Sequence, residues 1–249
     1  MATDKKPLPV DQGAPEQFAS GEVRSTYGYV SGYNQANAAA EQFAVIKSFF
    51  PYAKSYDEAL AAKDAPVGSE GNFLILPWQR VAPTYGEAVQ VIVNKLFEQR
   101  GGKFDNFLED RLGPYYLREG NKKIEVMKEI AAEQSNYDVL VISAQLGIRH
   151  RGKSIQRARL VIAANEFHLG AYEVGSILLT HQNRFQRFPD LRIDCAGDEF
   201  APAAGGDFCH APFFYFYRES LELNTLDFDS QNGHYGSASA FVPVVVPSE

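Results

Sequence analysis

The sequence predicts an α+β protein, with a helix-rich N-terminal two thirds, a few buried strands and an antiparallel β-meander at the C-terminus. Apolar residues recur at helical spacing in segments 84–99 and 121–134, and Lys122, Lys123 and Lys128 are expected on the solvent face of the second segment. Short apolar runs at 73–76 and 137–143 are typical of buried strands. After Pro189 the chain becomes rich in aromatic and β-branched residues, which favour strands.

Capping and breaking residues set the limits of the predicted helices. Thr84 and Glu87 have the spacing of a capping box, and Gly101 follows the end of that helix. Helices are expected at 34–50, 55–62, 84–99, 104–112, 121–134, 154–165 and 171–185. Strands are expected at 73–76, 137–143, 191–195, 213–217, 221–228 and 237–246.

The composition is that of a folded protein. Of 249 residues, 45% are apolar and 22% charged, and the 18 Phe and 13 Tyr argue against general disorder. Residues 1–20 are rich in Pro, Gly, Ala and charge without any core period, so we expect an extended arm followed by one domain at 21–249. An arm of this kind becomes ordered only against a neighbour, which favours a homo-oligomer or a larger assembly.

The composition also bears on location and partners. The N-terminus lacks the continuous apolar segment of a signal peptide, and no run is long enough for a membrane helix, so we expect a cytoplasmic protein without membrane contact. Two cysteines, Cys195 and Cys209, are expected as free buried thiols. Residues 190–249 contain ten acids and two arginines, a net charge of −8, which disfavours nucleic acid at this acidic C-terminal quarter.

The segment 147–154 matches the phosphate-loop pattern G-x-x-x-x-G-K-S and follows a predicted strand. In such a loop, backbone N–H groups hold phosphate, Lys153 would reach the terminal phosphates and Ser154 would bind Mg²⁺. Gly147 and Gly152 would complete a site for a Mg-nucleotide. A phosphate-loop domain needs several parallel strands after the loop, whereas two helices and an antiparallel meander are expected here, so we expect no cofactor and keep the nucleotide as the alternative.

The same region is strongly basic. Between residues 139 and 165 there is no acid, whereas Arg149, Arg151, Lys153, Arg157 and Arg159 contribute five positive charges. Such a surface attracts phosphate or an acidic protein surface. We expect the four arginines to contact the acidic C-terminal quarter, either in the same chain or in a neighbour.

Two further groups are candidates for chemistry. Carboxylates, sulfur and imidazole gather at Asp194, Asp198, Glu199, Asp207, Cys209 and His210, a mixture that could hold a metal ion for hydrolysis. The spacing matches no known ligand pattern, so acidic turns are the simpler interpretation. Glu166 and His168 flank a predicted loop and could transfer protons, whereas His181 lies on an apolar helical face and is predicted to be a core histidine.

No complete catalytic set emerges from these patterns. The leading hypothesis is therefore a non-catalytic structural or assembly subunit of a multi-chain particle, with a virion-like particle as one form of it. A phosphate- or nucleotide-binding protein and a metal-dependent hydrolase are the two alternatives.

Overall fold

The computed structural model describes residues 21–242, so the arm at 1–20 and the end of the last predicted strand lie outside the described residues. The α-helices are α1 (Ala39–Phe49), α2 (Glu58–Ala61), α3 (Tyr85–Gln99), α4 (Asn121–Glu133), α5 (Ile155–Leu160) and α6 (Ala171–Thr180). The strands are β1 (Gly71–Ile75), β2 (Phe104–Asn106), β3 (Leu117–Glu119), β4 (Leu140–Leu146), β5 (Glu166–His168), β6 (Arg192–Asp194), β7 (Asp198–Phe200), β8 (His210–Tyr217), β9 (Ser220–Asp227) and β10 (Tyr235–Phe241).

One ten-stranded mixed sheet organises these elements, so the prediction of a helix-rich protein with few strands is wrong. The main order is β1-β4-β10-β6-β8-β7-β3, with β5 beside β10, β9 beside β8 and β2 beside β9. Three-residue strands account for much of the error. The segment 104–112, predicted to be a helix, instead begins with β2, which pairs in parallel with the distant β9. Partners far along the chain create such strands, and local periodicity does not reveal them.

The C-terminal strands do not form a separate meander. Strand β8 pairs antiparallel with β9, β6 and β7. The last strand, β10, instead inserts between β4, to which it is antiparallel, and β6, to which it is parallel. The last strand therefore joins the two halves of the predicted architecture in a single sheet.

The helices that match the prediction best are α3 and α4. Thr84 and Glu87 form the expected capping box, and α3 buries Ala88, Ile92 and Leu96 against the core. Helix α4 begins at Asn121 as predicted, but Lys123, predicted to face solvent, is buried. This inward lysine turns out to be central to the site described below.

Helix α6 lies inside the protein. All ten of its residues are buried, and Gly175 allows Ile92 of α3 to pack closely against it. Within residues 21–242, no helix has the length and apolarity that crossing a bilayer would require. His181, directly after α6, is buried and accepts a hydrogen bond from the Asn37 N–H, so the prediction of a core histidine is confirmed.

Two glutamine side chains take the place of missing strand partners. The Gln42 amide accepts from the Leu74 N–H and donates to the Asn72 carbonyl along the outer edge of β1. The Gln134 amide makes the same pair of bonds with Val141 of β4. Because unpaired strand edges promote edge-to-edge association, these amides protect the sheet while satisfying buried backbone groups.

Candidate functional site

A cavity of about 230 Å³ opens beside the first turn of α4, and we call it the α4 cavity. Its lining comprises residues 120–123 at the start of α4, the 196–197 turn that leads into β7, and the side chains of Arg159, His168 and Glu199. The cavity therefore lies where α4, α5, β5 and β7 meet, and the three side chains reach it from α5, β5 and β7.

Close backbone approach brings these elements together. The Gly120 N–H donates to the Gly197 carbonyl at 2.8 Å, and a Cβ atom on Gly120 would lie only 2.9 Å from that oxygen. A Cβ atom on Gly197 would lie 2.4 Å from the His168 carbonyl oxygen. Two glycines are thus required for α4, the 196–197 turn and β5 to touch at the cavity.

The first turn of α4 is uncapped. Gly120, at the N-cap position, has no side chain to accept a hydrogen bond, and the N–H groups of Asn121, Lys122 and Lys123 have no acceptor within the part of the chain that the structure describes. Free N–H groups and the helix dipole make such a terminus attractive to anions.

Two cations border the same cavity. The Lys122 ammonium donates to the Glu166 carbonyl oxygen at 2.8 Å. The Arg159 guanidinium donates to the carbonyl oxygens of Ala196 and Asp198. Burial lowers the pKa of both side chains. A bound anion would favour their charged forms and would be attracted by them.

His168 contributes a buried and unsatisfied ring nitrogen. The residue is 7% exposed and lines the cavity, yet its Nε2 atom has no hydrogen-bond partner among residues 21–242. Its Nδ1 atom lies 3.3 Å from the Ala238 carbonyl oxygen. Burial lowers the pKa of His168 to about 3, and neighbouring His150 adds to the effect, so the ring is neutral near neutral pH.

Behind His168, a polar network ties β5 to β10. The Glu166 carboxylate accepts from Ser239, lies 2.9 Å from His150 Nε2 and pairs with Arg149. These partners outweigh burial and lower the pKa of Glu166 to about 2. Ser239 bonds the carboxylate directly and makes no bond to an imidazole, so the group lacks the serine–histidine arrangement of a nucleophile and its base. The network holds β5 against β10, and the ring of His150 lies edge-on to that of His168 with centroids 5.3 Å apart.

On the other side, the cavity borders a buried ionic cluster centred on Lys123. The Lys123 ammonium lies 2.8 Å from Asp198, 3.0 Å from Glu173 and 3.3 Å from Glu119, and it donates to the Tyr85 hydroxyl at 2.8 Å. Burial alone would lower the pKa of Lys123, but the three carboxylates together raise it. A lysine held as a cation cannot act as a nucleophile.

The Asp198 carboxylate also caps α6. It accepts from the Ala171 N–H at 2.7 Å and from the Tyr85 hydroxyl at 2.6 Å. A side chain at Gly170 would collide with both Asp198 and Lys123. The Lys123 cluster thus holds α4, α6 and β7 in register beside the cavity, which is a structural role with every close partner satisfied.

The predicted phosphate loop has a different conformation from the one that its function needs. Its N–H groups are already bonded within the chain: Gly147 and Arg149 donate to the Gln145 side chain, Gly152 to Tyr235, and Ser154 to Gly21. The ammonium of Lys153 pairs with Glu22, and the hydroxyl of Ser154 caps the short α5. The loop therefore offers no free cradle of donors to a phosphate.

Among the described residues, one arginine of the basic segment pairs with an acid of the C-terminal quarter. Arg159 lies 3.8 Å from Glu199, as expected. The other arginines contact different groups: Arg149 pairs with Glu166, Arg157 with Glu22, and Arg151 donates to the Tyr27 carbonyl. The acids that pair with the segment outside the C-terminal quarter are therefore Glu22 and Glu166, against five positive charges.

The predicted metal ligands are dispersed. Asp198 is in the Lys123 cluster, Glu199 pairs with Arg118 and Arg159, and Asp207 is exposed. Cys209 contacts the neighbouring His210, which pairs with Asp227. Among the described residues, no group of three or more such side chains is placed to hold a metal ion. Both thiols are free as predicted, although Cys209 is exposed rather than buried.

Asp194, the remaining predicted ligand, is fully buried on the sheet. Neither of its carboxylate oxygens has a hydrogen-bond partner in the described chain, and the same is true of the Ser237 hydroxyl at the paired position of β10. Burial raises the pKa of Asp194 to about 8, although Arg192 opposes this shift. The carboxyl group is therefore mostly protonated near neutral pH.

Two residues of the site, Lys123 and Lys122, were not predicted as functional. The sequence predicts the helix that carries them, but it predicts both side chains on the solvent face. The one signal in the sequence was Gly120, a helix start without a capping side chain.

Comparison with known proteins adds no assignment, because no family model matches the chain and neither the curated proteins nor the solved structures give a significant match.

Proposed function

We propose that this chain binds a small oxyanion, such as phosphate or a carboxylate, in the α4 cavity. The observation that carries this proposal is the uncapped first turn of α4, whose unsatisfied N–H groups belong to residues lining the cavity. Lys122 and Arg159 add positive charge at the same place, and the cavity volume suits a ligand of a few heavy atoms.

The site fits binding better than catalysis. Lys123 is held as a cation by its carboxylates, and Cys195, although close in sequence to the 196–197 turn, has its pKa raised by burial. Neither side chain is therefore an activated nucleophile. The groups in the cavity can bind an oxyanion without an activated nucleophile, so we propose binding as the function.

A lysine exchange tests this site against the phosphate-loop alternative. Phosphate titrated calorimetrically at low salt should bind the wild-type chain, and Lys122→Met should weaken binding about tenfold, since a hydrogen bond to a charged group contributes roughly 1.5–3 kcal/mol. The matched variant Lys153→Met should bind like the wild type because Lys153 already pairs with Glu22. The reverse pattern would move the site to the 147–154 loop.

A second candidate function is an assembly subunit. Phe188 and Tyr217 are 52% and 38% exposed, and their rings meet edge to face with centroids 5.9 Å apart. Arg218 lies over the Tyr217 ring. Exposed aromatic residues beside arginine are enriched at protein interfaces, and we propose a second copy of this chain as the partner of this Phe188–Tyr217 patch.

Light scattering distinguishes the two routes to assembly. If the patch mediates contact, Phe188→Ser with Tyr217→Ser should lower the oligomeric mass, because burial of the two rings drives association. If the arm mediates it, deletion of residues 2–18 should have this effect. Val67→Ser provides the control, since Val67 is 99% exposed and distant in sequence from both the Phe188–Tyr217 patch and the arm. A monomer in all samples would contradict the assembly proposal.

A further inference from the structure

We propose, building on the proposed function, that the α4 cavity selects oxyanions that carry their own hydrogen-bond donor, with hydrogen phosphate favoured over sulfate. The helix terminus and the cations of the cavity attract negative charge. His168 and Glu199, which line the same cavity, supply hydrogen-bond acceptors and so select among the anions. The selectivity depends on which nitrogen of His168 carries the proton.

The Ala238 carbonyl favours one tautomer of His168. A carbonyl oxygen only accepts hydrogen bonds, so Nδ1, at 3.3 Å from it, carries the hydrogen in the tautomer that we infer, although the Ala158 carbonyl also attracts a proton of the ring. The ring is neutral because it is buried and because Arg159 and His150 oppose a further positive charge. Nε2 is consequently left with a lone pair, and no donor among the described residues satisfies it.

Glu199 supplies the second acceptor. One carboxylate oxygen, Oε2, accepts from the Arg118 guanidinium at 2.7 Å. The other, Oε1, is 3.8 Å from the nearest Arg159 nitrogen, which is beyond hydrogen-bond distance. A ligand oxygen without a hydrogen would be repelled by Oε1 and by the Nε2 lone pair, whereas an O–H group would satisfy either of them.

Phosphate and sulfate differ in this respect and, as a consequence of the retained proton, in net charge. They have nearly the same size and shape, but phosphate retains at least one proton near neutral pH and sulfate retains none. Sulfate in the α4 cavity would leave the buried His168 acceptor unsatisfied, and a site built around a hydrogen bond discriminates strongly against a ligand that lacks it. The same reasoning favours lactate, which has a hydroxyl group, over propionate, which has none.

Calorimetry on the wild-type chain tests the selectivity directly. Phosphate should bind at least tenfold more tightly than sulfate, and lactate more tightly than propionate. His168→Leu should lower the phosphate-to-sulfate ratio several-fold and leave only the part due to Glu199, because it removes Nε2 while the Ala238 carbonyl still accepts from the Leu169 N–H. Lys122→Met is the matched control: it should weaken both anions in parallel and leave the ratio unchanged.

The outcomes separate the two proposals. Equal binding of phosphate and sulfate by the wild type would overturn the selectivity and leave the oxyanion site standing. Tighter binding of sulfate would mean that His168 takes up a proton with the ligand, which also overturns it. No binding of any of the four ligands would overturn both proposals. The wild-type comparison decides even if His168→Leu fails to fold.

Discussion

Replacing Lys123 by methionine should destabilise the protein by about 3–5 kcal/mol, the range found when one partner of a buried ion pair is removed. The variant keeps the length and apolar stem of the side chain, so the loss is mainly electrostatic. It leaves Asp198, Glu173 and Glu119 buried together without a cation. For a chain of this size, such a loss corresponds to a fall in the melting temperature on the order of 10 °C.

Thermal and urea unfolding, compared with Lys128→Met, measure this effect. Lys128 is exposed on the same helix, so the control carries the same change at a solvated position and should remain close to the wild type. The destabilisation should also grow from mildly acidic to alkaline pH, since the orphaned carboxylates can take up protons only at low pH. Equal melting temperatures for the two variants would show that the cluster contributes little.

Asp194→Asn should remove a pH dependence from the stability of the folded chain. The folded-state pKa of Asp194 is raised from 3.8 to about 8. Between these values the folded protein holds a proton that the unfolded chain releases, so the stability of the wild type falls as pH rises from about 4 to about 8. At about 1.4 kcal/mol per pKa unit, the loss is on the order of 5 kcal/mol at most.

Chemical unfolding across this pH range distinguishes Asp194 from the other acids. Asparagine has nearly the same shape and no charge, so the variant should show a shallower decline and should exceed the wild type in stability at the alkaline end. Asp207→Asn, at an exposed position, is the matched control and should follow the wild-type profile. Parallel profiles for all three proteins would contradict a protonated Asp194.

Local sequence determined the elements whose signals are contained within them. The capping box at Thr84 and Glu87 and the repeated apolar face placed α3, and the run from Val139 to Ile142 placed the centre of β4. The position of His181 on an apolar helical face also predicts correctly that this residue is buried. In each case the relevant interactions join residues a few positions apart, so the sequence alone contains them.

Tertiary structure decided the rest. The three-residue strands β2, β3, β5 and β7 exist because distant segments pair with them. The local sequence of β10 is equally compatible with pairing to β4 and with a C-terminal meander. Lys123 has the residue type of a solvated position, yet three carboxylates from other elements make its burial favourable.

The candidate site shows the same division. The G-x-x-x-x-G-K-S pattern was visible in the sequence, but which N–H groups remain unbonded depends on partners such as Gln145, Tyr235 and Gly21. The uncapped start at Gly120 was equally visible, but only the fold brings Arg159 and His168 beside it. An anion-binding site is defined by unsatisfied donors and nearby charge, and both are properties of the folded chain rather than of any local pattern.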